Sequence, residues 1–85
     1  MIELDAPVSA REILAECKQR GLLVKEIPGA SASSRAGSRH WHIRRPEGAG
    51  TLELTEWGDR VILKVAANRD GGWATTLARK LAHVN

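Results

Sequence analysis

The stretch from Gly37 to Ala66 constrains the fold more than any other part of the chain. It holds three runs in which apolar and polar residues alternate, separated by two turn signals. A period of two is what a strand with one buried face requires. Paired as an antiparallel meander, the runs place Trp41, Ile43, Leu52, Leu54, Leu63 and Val65 on one face and His40, His42, Arg44, Glu53, Trp57 and Lys64 on the other. Trp57-Gly58-Asp59-Arg60 reads as a tight hairpin with Gly58 and Asp59 as its loop residues. That register sets Leu54 opposite Leu63 and Glu53 opposite Lys64, so apolar meets apolar and charge meets opposite charge. Across the longer turn from Pro46 to Gly50, matching faces pairs Trp41 with Leu54 and His42 with Glu53.

Helices flank these runs. Ser9-Ala10-Arg11-Glu12 is a capping box, and Val8 and Ile13 are spaced for the accompanying hydrophobic staple. Ala10, Ile13, Leu14 and Cys17 then recur at helical spacing, and Gly21 supplies the left-handed residue that ends the helix. The spacing predicts a helix over residues 9–20. Leu22 to Ile27 reads as a strand, closed by Pro28-Gly29. Residues 28–38 are expected to form a flexible loop, because they hold nothing large to bury. Trp73, Leu77, Leu81 and Val84 form the stripe of a second helix over 72–83, with Asp70 as a cap and Trp73 as its anchor to the sheet. Ile2 and Leu4 alternate with polar residues, which fits either a short edge strand or an ordered tail.

The expected fold is an α+β two-layer sandwich: helix, strand, loop, three-stranded antiparallel meander, helix, with both helices on one face of the sheet. At 85 residues the chain makes one domain, 1–85, too small to enclose a deep pocket or a large cofactor. No cofactor is expected. The single Cys17 cannot form an internal disulfide. Without a membrane-length apolar run or a signal-peptide pattern, the expected location is the cytoplasm and no membrane partner is expected.

Charge is uneven along the chain. Residues 1–34 carry five acids and four bases (net −1), and residues 35–85 carry nine bases and five acids (net +4), which sums to the overall +3. The bases are densest from Arg35 to Arg45, where Arg35, Arg39, Arg44 and Arg45 stand with His40 and His42 and no acid. Such a segment suits a phosphate backbone, with Lys64 beside it and Trp57 available for stacking a base. RNA is the expected partner of this binding module.

Three short segments carry a family resemblance: Gly37-Ser38-Arg39-His40-Trp41-His42-Ile43, Pro46-Glu47-Gly48 and Gly72-Trp73-Ala74-Thr75-Thr76-Leu77. With the order of elements they resemble the double-stranded-RNA-binding fold and, more particularly, the HicA-type mRNA interferase toxins. Arg39 stands where that family carries its active histidine, so the resemblance puts the role on His40. It also implies endoribonuclease activity and an antitoxin as protein partner.

The residues alone allow the same chemistry. Histidine can act as base on a ribose 2′ hydroxyl or as acid for the leaving oxygen, and His40 and His42 project from one side of a strand with Arg44 beyond them. A solvated strand face gives the same pattern. The two histidines lack an evident third ligand, since Cys17 lies in a helix stripe and His83 at the far end, so no metal site is expected. A third reading, a protein-interaction domain, uses Trp57 and Ile62 as an exposed apolar patch on the outer face.

Overall fold

The structure, a computed structural model, describes residues 2–27, 37–66 and 71–83. Its elements in chain order are β1 (Ile2–Asp5), α1 (Ala10–Gln19), β2 (Leu23–Glu26), β3 (Arg39–Arg44), β4 (Leu52–Trp57), β5 (Arg60–Val65) and α2 (Trp73–Ala82). All five strands join one antiparallel sheet in the order β1-β5-β4-β3-β2.

The three-stranded sheet expected from the sequence is therefore corrected to five strands. β2 extends the meander on one side, with Val24 opposite Ile43 and Lys25 opposite His42. β1 closes the other side, with Ile2 opposite Val65 and Leu4 opposite Leu63. The physical reason is that the outer strands of a bare meander leave their backbone groups without a ladder. Two short alternating segments remote in sequence supply it. Within the meander, Trp41 faces Leu54, His42 faces Glu53, Glu53 faces Lys64 and Leu54 faces Leu63.

Local chemistry sets the ends of the elements. Ser9 caps α1 by accepting a hydrogen bond from the Glu12 amide at 3.2 Å. The helix ends in a Schellman motif, with Leu22 N–H on the Cys17 carbonyl, Gly21 N–H on that of Lys18, and Gly21 at φ +78°. At the β4–β5 hairpin Gly58 takes φ +60° while no non-glycine residue among those described has positive φ, the pattern of a II′ turn with glycine first. The N-cap of α2 is Gly72, which offers no side-chain bond. The expected cap Asp70 lies outside the described residues, as do Arg35 and positions 28–36 of the expected loop.

α1 and α2 cover the same face of the sheet. Ile13, Cys17, Leu77 and Leu81 of the helices are buried against Ile43, Leu54 and Leu63 of the strands. β1 and β2 lie on opposite edges, four inter-strand steps of about 4.8 Å apart. The ten residues of α1, about 15 Å long, carry the chain back across the inner face. The opposite face carries no helix among the described residues, and it holds the candidate site.

Candidate nucleic-acid interface

Two rows of side chains cross the uncovered face at right angles to the strands. The first runs Lys25, His42, Glu53, Lys64, Glu3, each directly opposite the next. His42 Nε2 lies 3.5 Å from Glu53 Oε1. Lys64 stands between Glu53 and Glu3, so its charge is balanced on both sides.

The second row runs His40, Thr55, Ile62, Asp5. His40 is held at both ring nitrogens: Nδ1 lies 3.0 Å from Thr55 Oγ1 and Nε2 lies 3.1 Å from Ser38 Oγ. A hydroxyl can donate or accept, so these two partners satisfy the ring in either neutral tautomer. The imidazole is thereby fixed in orientation. Acting as base toward an external hydroxyl requires one of the two partners to give way.

The apolar patch expected from Trp57 and Ile62 is corrected. Ile62 is only 6% exposed. Thr55 and Asp5 are its direct partners on either side, and Trp57 stands diagonally across the hairpin. Beside it, Arg60 reaches back to Asp5 with Nη2 2.9 Å from Oδ1. Trp57 itself is half-buried.

The basic segment does not stay together. Arg39 shares the strand parity of Trp41 and Ile43, so it stands on the helix side of the sheet. There its guanidinium grips Glu26 in a fork, Nε to Oε2 at 3.0 Å and Nη2 to Oε1 at 2.9 Å, and lies 4.9 Å from the centre of the Trp41 ring. The hydrogen bond from Arg39 holds the Glu26 carboxyl below its ordinary value and raises the guanidinium in turn. Arg45 stacks 5.7 Å over Trp73 at the start of α2. The Trp73 indole donates to the Ala49 carbonyl at 2.8 Å, which ties the β3–β4 loop to the helix. A Cβ on Gly71 would collide with that same carbonyl. Of the three described arginines of the segment, Arg44 alone is left on the uncovered face, exposed and opposite Leu23.

The face therefore unites His40, His42, Arg44, Lys64 and Trp57, and separates Arg39 and Arg45 from them. It also recruits Lys25, Ser38 and Thr55, which sequence reasoning did not single out. Thr55 was within reach, since the pairing of Trp41 with Leu54 already sets it opposite His40. Lys25 needed the β2–β3 pairing, which no local pattern reports.

Elsewhere the chemistry is sparse. An open depression between Pro7, Ser9 and the β4–β5 turn is lined by Glu56 and Asp59, the wrong sign for a polyanion. Among the described residues no three His, Cys, Asp or Glu side chains stand together as metal ligands, and no helix is long and apolar enough to cross a membrane. Cys17 is fully buried, and burial pushes its thiol up to about 11. No family model matches the chain, and neither the curated proteins nor the solved structures contain a match.

Proposed function

We propose that the uncovered sheet face binds single-stranded RNA. The observation that carries this reading is the composition of that face: the rings of His40, His42 and Trp57 stand among the cations Lys25, Arg44 and Lys64 on an open sheet. Sheets of this kind receive unpaired bases by stacking while flanking cations take the phosphates. A duplex offers no base faces to such a platform, which favours the single strand. The protein then acts in the cytoplasm, where such RNA is met. The test is a titration with short single-stranded and double-stranded RNAs followed by amide shifts. Shifts should gather on β2 to β5 with the single strand and weaken as salt rises. Equal response to the duplex, or none to either RNA, refutes the reading.

A second reading rests on the double hydroxyl clamp of His40. A ring held at both nitrogens is pre-oriented, and displacement of Ser38 or Thr55 by a ribose hydroxyl would free one nitrogen to take its proton. This is the chemistry implied by the likeness to the interferase toxins, with an antitoxin as partner. It predicts that RNA recovered from the titration is cut, and that His40→Ala abolishes cutting while the sheet shifts persist. Intact RNA leaves binding alone.

A further inference from the structure

The two edges of the sheet differ in a way that bears on self-association. In an antiparallel ladder, directly opposed residues alternate between exchanging hydrogen bonds and facing away. Ile27 N–H bonds to the His40 carbonyl, so Lys25 and Leu23 also exchange bonds with β3. The backbone groups of Val24 and Glu26 therefore point outward from β2. At the other edge Ala6 N–H bonds to the Val61 carbonyl, which turns the backbone groups of Glu3 and Asp5 outward from β1.

Pairing β1 with its own copy about a two-fold axis must set outward residues opposite one another. Every such register opposes acids: Glu3 to Glu3, Glu3 to Asp5, or Asp5 to Asp5. This edge is protected against self-pairing by like charge. The β2 edge has no such block. A register centred on Val24 sets Val24 opposite Val24 of a second copy and Leu23 opposite Lys25. Leu22 opposite Glu26 completes the overlap. Its Leu22 N–H is already committed to Cys17, but the Leu22 carbonyl can accept from the Glu26 amide of the other copy. Shifting by one step on the Lys25 side would bring Lys25 against Lys25, so the Val24 register is favoured. Leu23, 50% exposed, is the exposed large apolar residue among the described ones, and this register lays the aliphatic stem of a lysine over it.

We propose that β2 is the contact between two copies of this chain, antiparallel and centred on Val24, joining two five-stranded sheets edge to edge. The two-fold axis stands normal to the sheet, so the uncovered faces of both copies lie on the same side. Edge pairing buries less than a standard interface, and the expected state is a concentration-dependent dimer.

The test is sedimentation of the full chain over a range of concentrations. Leu23→Lys places like charges opposite each other at two equivalent points and should weaken the dimer about tenfold. The double variant L23K/K25E turns both points into ion pairs and should restore it. Arg44 neighbours position 23 in both variants, so it does not distort that comparison. Val24→Pro removes an outward N–H that the β2–β3 ladder does not use, and should give a folded monomer. A wild-type chain that stays monomeric at about millimolar concentration overturns the proposal. So does a dimer indifferent to L23K, or one that L23K/K25E fails to restore.

Discussion

Arg39 and Arg44 lie five positions apart in one basic segment, yet the sheet sends them to opposite faces, and this separates two accounts of RNA binding. If the segment acts as a linear basic patch, Arg39→Ala and Arg44→Ala should weaken binding alike. If the uncovered face is the interface, only Arg44→Ala should. The magnitude follows from charge. Lys25, Arg44 and Lys64 offer about three phosphate contacts, and each contact on a single strand contributes roughly −0.7 to the slope of log K against log salt. The wild-type slope should be near −2.1 and that of Arg44→Ala near −1.4, with affinity about fivefold lower at ~0.1 M salt. Arg39→Ala should leave both quantities unchanged, since its fork with Glu26 is exposed and contributes little to the fold. Fluorescence anisotropy of a labelled single-stranded RNA across a salt series gives both numbers. Equal losses in the two variants, or a slope that Arg44→Ala does not reduce, refute the division of the segment by the sheet.

Three further outcomes test the fold. Gly71→Ala should destabilise by ~1–3 kcal/mol, because φ is +61° and the added Cβ meets the Ala49 carbonyl; urea unfolding measures it, and Trp73 fluorescence should shift as its bond to Ala49 is lost. Ile43→Ala, at a fully buried site, should cost about 2–5 kcal/mol, a large part of the roughly 4–13 kcal/mol available to a chain of this length, and should lower the midpoint of thermal unfolding sharply. Burial raises the Cys17 thiol from 9.0 to about 11, so the folded state holds its proton longer than the unfolded one. The resulting stability is whole below pH ~9 and is lost as pH rises through ~11, by roughly 2–3 kcal/mol in all. Urea midpoints of the wild type and Cys17→Ala should accordingly converge across that window; parallel curves refute it.

Much of the fold was legible because its determinants are local. Ser9 with Glu12 marks the start of α1, Gly21 its end, and Gly58-Asp59 the hairpin. With the hairpin fixed, alternation alone pairs Leu54 with Leu63 and Trp41 with Leu54. The width of the sheet was not legible, because it depends on pairings between remote segments. Ile2 meets Val65, which lies 63 positions further along the chain. Val24 meets Ile43 beyond a serine-rich stretch that carries no register information. Ile62 misled for a related reason: strand parity places it on the uncovered face, but β1, a strand that local pattern left undecided, lies beside it with Asp5 directly opposite. The histidines were found because alternation puts them on the outer face. The Ser38 and Thr55 hydroxyls were not, because their role exists only once β3 and β4 are paired.

The division of the basic segment also bears on what kind of affinity the face can have. A run of bases is contiguous in sequence, but a strand with period two sends only alternate residues to one side. Arg39 and Arg45 leave with Trp41 and Ile43, and Lys64 is flanked by Glu53 and Glu3, so the field over the uncovered face is weak. The about three phosphate contacts that the described cations offer lose their attraction as salt approaches ~1 M, where the counterion term vanishes. Any binding that remains there must come from the rings. Stacking is worth about 1–3 kcal/mol per base and is indifferent to salt. His42, beside Glu53 on the first row, is the ring best placed to separate the two contributions. His42→Ala should lower the affinity extrapolated to ~1 M salt while leaving the slope near −2.1. Arg44→Ala should do the reverse. A single variant that moves slope and intercept together would mean that charge and stacking act at one point on the strand and not along it, and the platform would have to be replaced by a site centred on one nucleotide.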